Sequence, residues 1–375
     1  MKHNRYMRHN KRQLRKYIPA LASLCMILMI GAALCACADG GSAGDVSSQE
    51  PVSRDFFAMD TYMTVQAYGD GAEEATEAAE DEVYRLDAMF STGDPESEIS
   101  GLNSKGGAVL SEEAGALVER GLELYDETGK NFDIAVYPVM KAWGFTDKNY
   151  RVPSEKELEE LLPLTDADEV SFAESDDADG VEVSFGKKGM AIDLGGIAKG
   201  YTSSRIMEIY KEHGISSGLV SLGGNVQVLG TKPDGSKWKV AVQDPGSKSA
   251  DDAEADAAEY MGVLEAADTA VITSGAYERN FTQNGKFYHH IIDPATGYPA
   301  DSGLRSVTIV SADGTLADAL ATSLYIMGKD KALDYWRDHS DEFGCILMDD
   351  DGELFVTKDL ENDFTSDTYH VTVVE

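Results

Sequence analysis

Apolar and polar positions change their period several times along this chain. They alternate over residues 56–68, which predicts a strand. From residue 72 to 89, Ala75, Ala79, Val83 and Leu86 recur at helical spacing and predict a helix. A second helix is expected over 112–128, ended by Gly129. A third opens at Ser154, where Ser154 and Glu157 have capping-box spacing. Strands crowd together beyond residue 180: 181–185, 190–194, 218–222, 226–230, 238–243, 260–265 and 306–310. Asn284-Gly285 reads as the turn of a hairpin joining 277–282 to 287–292. A helix over 317–327 stops at Gly328. No repeat is visible, and helices do not alternate strictly with strands. The expectation is an α+β protein with mixed, largely antiparallel sheets and packed helices.

One segment promises chemistry. The apolar run 190–194 leads into Gly195-Gly196, and a helix-compatible stretch follows until Gly214. Strand, side-chain-free turn and helix start together can aim backbone N–H groups at a phosphate. Asp193 and Lys199 flank that turn. The spacing is neither a P-loop nor the dinucleotide fingerprint. An ordinary turn with a solvated lysine fits the segment equally well.

The first 36 residues differ from the rest. Seven basic and no acidic residues precede or border an apolar run that ends in Leu34-Cys35-Ala36-Cys37. This is the pattern of an export signal, and its end resembles a bacterial lipobox with Cys37 as the lipid-bearing residue. An uncleaved membrane anchor is the other reading. Both place an extracytoplasmic domain at the bacterial cell membrane. Residues 1–36 are thus expected to be a lipoprotein signal peptide and 37–54 a flexible tether. The whole chain carries a formal charge of −35, and without residues 1–36 it would carry −42. Such a surface repels nucleic acid, and a phosphorylated ligand would need a locally positive site. Cys345 is then left without a cysteine partner and reads as a buried thiol. No His-x-x-x-His spacing suggests zinc. The acidic stretch 247–259 lacks EF-hand spacing and reads as a solvated loop.

Three further segments carry oxygen-rich chemistry. Asp318 and Thr322 stand at i and i+4 among alanines, a pairing that Mg²⁺ accepts together with phosphate oxygens; a solvated helix face is the plainer alternative. Residues 288–299, with His289, His290 and Asp293-Pro294-Ala295-Thr296-Gly297, gather polar groups at a strand end. For either histidine, a core ring bonding a carbonyl is the ordinary reading. Thr273-Ser274-Gly275 sets a hydroxyl beside a glycine.

Taken in order, Asp-Leu-Gly-Gly-Ile-Ala-Lys-Gly at 193–200, Ser-Leu-Gly-Gly-Asn at 221–225, Thr-Ser-Gly at 273–275, His-Ile-Ile-Asp-Pro-x-Thr-Gly at 290–297 and Ala-Asp-x-x-x-Thr at 317–322 resemble the ApbE-type FAD:protein FMN transferase family. Met59-Asp60-Thr61, Phe90-Ser91-Thr92, Leu102-Asn103, Phe132-Asp133-Ile134 and Trp143-Gly144-Phe145 fit upstream. The resemblance implies a single large ApbE-like (T-fold-like) catalytic domain over 55–360, with 361–375 as a C-terminal strand or tail. It implies FAD as substrate, Mg²⁺ as cofactor and transfer of FMN to a threonine hydroxyl of acceptor redox proteins, with AMP released. On this match Gly196 (through its carbonyl), Thr315, Asp318 and Thr322 would hold the metal. Met59, Phe132, Asp133, Asp193, Lys199, Ser274, His290 and Ile291 would contact FAD. Asp318 or His290 would take the threonine proton, the histidine on the strength of an ordinary pKa near 6.5. An FAD pyrophosphatase and a flavin-binding lipoprotein are the competing readings. The acidic stretch 247–259 and Gly93 depart from the family pattern.

Overall fold

The computed structural model describes residues 50–174, 180–246 and 260–375. The signal 1–36, Cys37, residues 38–49 of the tether and the acidic stretch 247–259 lie outside them. Among the described residues the strands are β1 (Val52–Ala58), β2 (Thr61–Ala67), β3 (Gly107–Ser111), β4 (Val170–Glu174), β5 (Gly180–Phe185), β6 (Gly218–Leu222), β7 (Asn225–Leu229), β8 (Trp238–Gln243), β9 (Tyr260–Ala266), β10 (Thr269–Gly275), β11 (Asn280–Gln283), β12 (Lys286–His289), β13 (Leu304–Ser311), β14 (Gly344–Asp349), β15 (Leu354–Thr357), β16 (Phe364–Thr365) and β17 (Val371–Val374). The helices are α1 (Ala72–Phe90), α2 (Glu98–Lys105), α3 (Glu112–Glu127), α4 (Tyr137–Trp143), α5 (Glu155–Leu161), α6 (Ala198–Glu212), α7 (Gly314–Met327) and α8 (Lys329–Asp338).

Nine strands form the main sheet in the order β1-β2-β6-β7-β10-β13-β14-β15-β17, which is also their order along the chain. Every pairing in it is antiparallel except β15 with β17. The fold is therefore α+β with largely antiparallel sheets. Alternation along the strands feeds two cores. Val307 and Ile309 of β13 pack among the helix residues Leu316, Leu320 and Leu324, while Val310 joins a cluster with Val240 and Leu264 of the small sheet β16-β9-β8. Helices thus cover one face and a second sheet covers the other.

Two expected strands came out differently. Residues 56–68 form a hairpin, because Met59 and Asp60 both take positive φ, 47° and 59°, and reverse the chain in two residues. That turn carries no Asn-Gly signal, so alternation ran through it unseen. Val52–Arg54, assigned to the tether, begin β1 and pair with Val65–Ala67. Residues 190–194 join no sheet. Their backbone partners lie elsewhere: Asn103 accepts from the Ile192 N–H and donates to its carbonyl, both at 2.8 Å. The Asp193 N–H donates to Ile134 O at 2.8 Å. At Ser154 the cap forms by half, with Glu157 N–H donating to Ser154 Oγ at 3.2 Å while the Glu157 carboxylate pairs with Arg151.

Candidate active site

Antiparallel order brings three chain reversals to one end of the main sheet. These are the Met59–Asp60 turn, the Gly223–Gly224 turn and the long connection from β10 to β13. The first two touch: a Cβ on Gly223, whose φ is +64°, would lie 2.4 Å from Thr61 Oγ1. Non-glycine residues with positive φ store strain, and here two of them hold Met59 where both helix-side clusters meet.

Helices α6 and α7 cross beside this end. A Cβ on Gly200 would meet Gly314 O at 2.1 Å and Asp318 Cβ at 2.7 Å, so only glycine allows the approach. The crossing carries Asp318 to the start of α6, a helix whose flanking Ile197 offers no side-chain cap. Asp318 Oδ2 accepts from the Gly200 N–H at 2.9 Å and so caps α6 from another helix. Its Oδ1 accepts from Asn225 Nδ2 at 2.9 Å. Only 5% of Asp318 is exposed. Loss of solvation holds its carboxyl above the ordinary range, outweighing Lys199 and the two N–H donors.

On α7, Thr315, Asp318 and Thr322 follow the i, i+3, i+7 spacing of one helix face. The N-cap is Asp313, so the helix begins three residues before the expected start and includes Thr315. Thr322 Oγ1 lies 3.2 Å from Ser274 Oγ on β10, which brings two predicted residues into contact. Lys199 Nζ donates to Asn225 Oδ1 at 3.4 Å.

Gly196 lies in the turn that enters α6, and a Cβ there would strike the Phe132 ring at 2.9 Å. Phe132 is buried and is followed by Asp133, 7% exposed. Asp133 Oδ1 accepts from the Ala135 N–H at 2.7 Å, but Oδ2 is buried without a partner. Burial pushes this carboxyl up to about 7. The Asp193 carboxyl is also raised by desolvation; it accepts from the Gly195 N–H at 2.8 Å, and Arg279 opposes the shift.

The two histidines divide the expected roles. His289 bonds Ala300 O through Nε2 at 3.1 Å and accepts from the Ile291 N–H at 3.3 Å, which makes it a core histidine that also positions buried Ile291. His290 Nδ1 is buried and unpartnered. Desolvation, helped by Arg279, His289 and Lys199, pushes its ring from 6.5 to about 3. The pKa that recommended His290 as a base is therefore absent.

Other residues here were passed over or given no role. Glu278 and Arg279 lie just before β11, and the Arg279 carbonyl accepts from the His290 N–H at 3.0 Å. Asn103, Asn225 and Tyr137 also belong to the site's frame. Trp143 Nε1 donates to Gly297 O at 2.8 Å, tying α4 to the Asp-Pro turn. Asn103 and Asn225 stood within recognised motifs, but their partners are distant in sequence. Among the described residues no cluster of three His, Cys, Asp or Glu side chains forms a metal centre.

The ApbE family model matches residues 59–347. An FAD:protein FMN transferase of Treponema pallidum is 32% identical over 331 residues, covering 83% of this chain and 88% of its own. One of Klebsiella pneumoniae is 34% identical over 230 residues, 60% of this chain and 63% of its own. Among solved structures, the ApbE protein of Thermotoga maritima aligns with TM-score 0.75 and 31% identity over 84% of this chain and 99% of its own. The flavin transferase ApbE of Vibrio cholerae has the same fold, with TM-score 0.71 at 24% identity over the same shares.

Proposed function

This chain belongs to the ApbE family, and we infer from that membership and the site's geometry how it works as an FAD:protein FMN transferase. The observation that carries the reading is the buried Asp318 carboxylate. It is held on both oxygens by N–H donors and has no cationic side chain within ion-pair distance among the described residues. A buried carboxylate without a counter-ion is costly, and a divalent cation answers that cost. The donors that would join this carboxylate are the hydroxyls of Thr315 and Thr322 and the Gly196 carbonyl. They are hard oxygens in the small number Mg²⁺ accepts alongside phosphate and water. When bound, Mg²⁺ would draw charge from the pyrophosphate oxygens.

The protein's own part is positioning. The Lys199 ammonium, at the start of α6, supplies the local positive charge that a dinucleotide phosphate needs in so acidic a chain. Met59, Phe132, Asp133, Asp193, Ser274, His290 and Ile291 would line the flavin side. His290, neutral at physiological pH, offers a polar ring rather than a charge. The acceptor is a threonine hydroxyl of a redox protein: its Oγ forms a bond to the flavin-side phosphorus, the bond to the AMP oxygen breaks with its electron pair leaving on AMP, and the hydroxyl proton passes to the Asp318 carboxylate. The chain works outside the cytoplasm, tethered to the membrane through a lipid on Cys37.

The test incubates the protein with FAD, Mg²⁺ and a threonine-bearing acceptor. The expected result is covalent FMN on the acceptor by mass spectrometry, with one AMP per adduct, and a loss of at least about 100-fold in Asp318→Asn. AMP and free FMN without adduct would overturn the transfer to threonine.

A further inference from the structure

Asn225 sits between two opposite charges that do not meet. It is 2% exposed, at the first position of β7 after the Gly223–Gly224 turn. Its amide nitrogen donates to Asp318 Oδ1 at 2.9 Å, and its amide oxygen accepts from Lys199 Nζ at 3.4 Å. Lys199 precedes Gly200, whose N–H holds the other Asp318 oxygen. The ammonium and the carboxylate thus bond opposite ends of one amide, yet the two form no ion pair within 4.0 Å. A buried carboxylate attracts any nearby cation strongly, and a flexible lysine would close that gap unless its donors were engaged elsewhere.

We propose that Asn225 is a positioning residue that keeps the Lys199 ammonium out of ion-pair contact with Asp318, leaving that carboxylate free for a divalent cation. The proposal rests on the reading of Asp318 as a metal ligand. Asparagine suits the task because one amide gives a donor to the acid and an acceptor to the base at once. Aspartate would repel Asp318, and alanine would release both the Lys199 ammonium and Asp318 Oδ1 from the amide. Lys199 could then turn to Asp318 or to Glu278, the other carboxylate on which its charge acts. Arg279, the other cation of the cleft among the described residues, acts on Asp193, His290 and Glu278 but not on Asp318.

The experiment measures Mn²⁺ binding to the protein alone, without FAD, by electron paramagnetic resonance of the free ion, in four forms: wild type, Asn225→Ala, Lys199→Ala and the double variant. Asn225→Ala is expected to weaken Mn²⁺ binding about 10- to 100-fold. In the Lys199→Ala background the same change is expected to cost at least about threefold less, because the competing cation is gone. Lys199→Ala alone is expected to bind Mn²⁺ at least as tightly as wild type, and this arm stands even if Asn225→Ala folds poorly. Equal losses in both backgrounds would reduce Asn225 to a structural bond and overturn the proposal, as would weaker binding in Lys199→Ala. If wild type binds no Mn²⁺, the metal-ligand reading of Asp318 falls first and takes the proposal with it.

Discussion

A single methyl group at Gly200 tests the link between helix packing and chemistry. In Gly200→Ala the new Cβ would lie 2.1 Å from Gly314 O and 2.7 Å from Asp318 Cβ. A carbon and a carbonyl oxygen settle at about 3.3 Å or more, so α6 and α7 must part by roughly 1 Å. Neither neighbour is the end of a flexible side chain, so the backbone has to move. Overpacking of this kind costs about 1–3 kcal/mol, which leaves a domain of this size folded. The same shift pulls Asp318 from the Gly200 N–H, a 2.9 Å bond to a charged group. A displacement of about 1 Å at a reacting centre costs on the order of 100-fold in rate. The assay is FMN transfer to an acceptor at saturating FAD, with thermal unfolding measured alongside. Transfer is expected to fall about 100-fold while the transition drops by only several degrees. Gly101→Ala is the control, since nothing lies within 4 Å of its added Cβ and it sits inside α2. That change should leave transfer intact and raise stability by up to about 1 kcal/mol. Wild-type transfer in Gly200→Ala would refute the argument that this crossing sets the position of Asp318.

Three further outcomes follow from the same geometry. The Asp133 carboxyl titrates near about 7 in the folded protein against an ordinary 3.8. Between those values the folded state holds a proton that the unfolded chain has released, so this group's contribution to stability falls as pH rises from about 4 to 7. Asp133→Asn should therefore gain about 1–3 kcal/mol relative to wild type on moving from pH 5 to pH 8; parallel curves of stability against pH would contradict this. His290, near about 3, should contribute no limb to the transfer rate between pH 5 and 8, and a limb near 6.5 that disappears in His290→Asn would refute that assignment. Asn103→Ala strips Ile192 of both backbone partners and should lower stability by about 1–3 kcal/mol in urea unfolding. An unchanged midpoint would show that the two Asn103 bonds contribute nothing to holding residues 190–194.

Much of the site was legible because its pieces are local. Asp318 and Thr322 share a helix face by spacing alone, and the glycine turn before α6 is visible as punctuation between two apolar patterns. The class of fold followed from mixed periods, and the hairpin β11–β12 from Asn284-Gly285, whose φ values of 54° and 78° suit its two-residue turn. What escaped depends on partners far along the chain. Residues 190–194 have the composition of a strand, but Asn103, 89 residues before Ile192, takes the bonds a neighbouring strand would have made. The hairpin at Met59–Asp60 is hidden because strain replaces the usual turn residues there.

The pKa values show the same limit more sharply. His289 and His290 are adjacent and chemically identical on paper, and the ordinary value near 6.5 applied to both. In the fold one ring bonds Ala300 and the other encloses a partnerless Nδ1 beside three positively charged or ionisable neighbours. Burial therefore decides which acid or base is available, and no local pattern encodes it. Asp318 moves the opposite way for the same reason, since desolvation raises a carboxyl and lowers an imidazole. At neutral pH the histidine is uncharged and weakly basic, while desolvation raises the aspartate carboxyl and leaves it with no cation in contact. The two candidates for taking the threonine proton are thus separated by their surroundings. If His290 were nonetheless the acceptor, binding of FAD would have to restore several units of basicity to a ring with no carboxylate bonded to it. Asp193 and Glu278, on which Arg279 also acts, are themselves raised by desolvation. A transfer rate that survives His290→Asn within about threefold would therefore follow from the geometry, and a loss beyond about 100-fold would place the proton on the histidine after all.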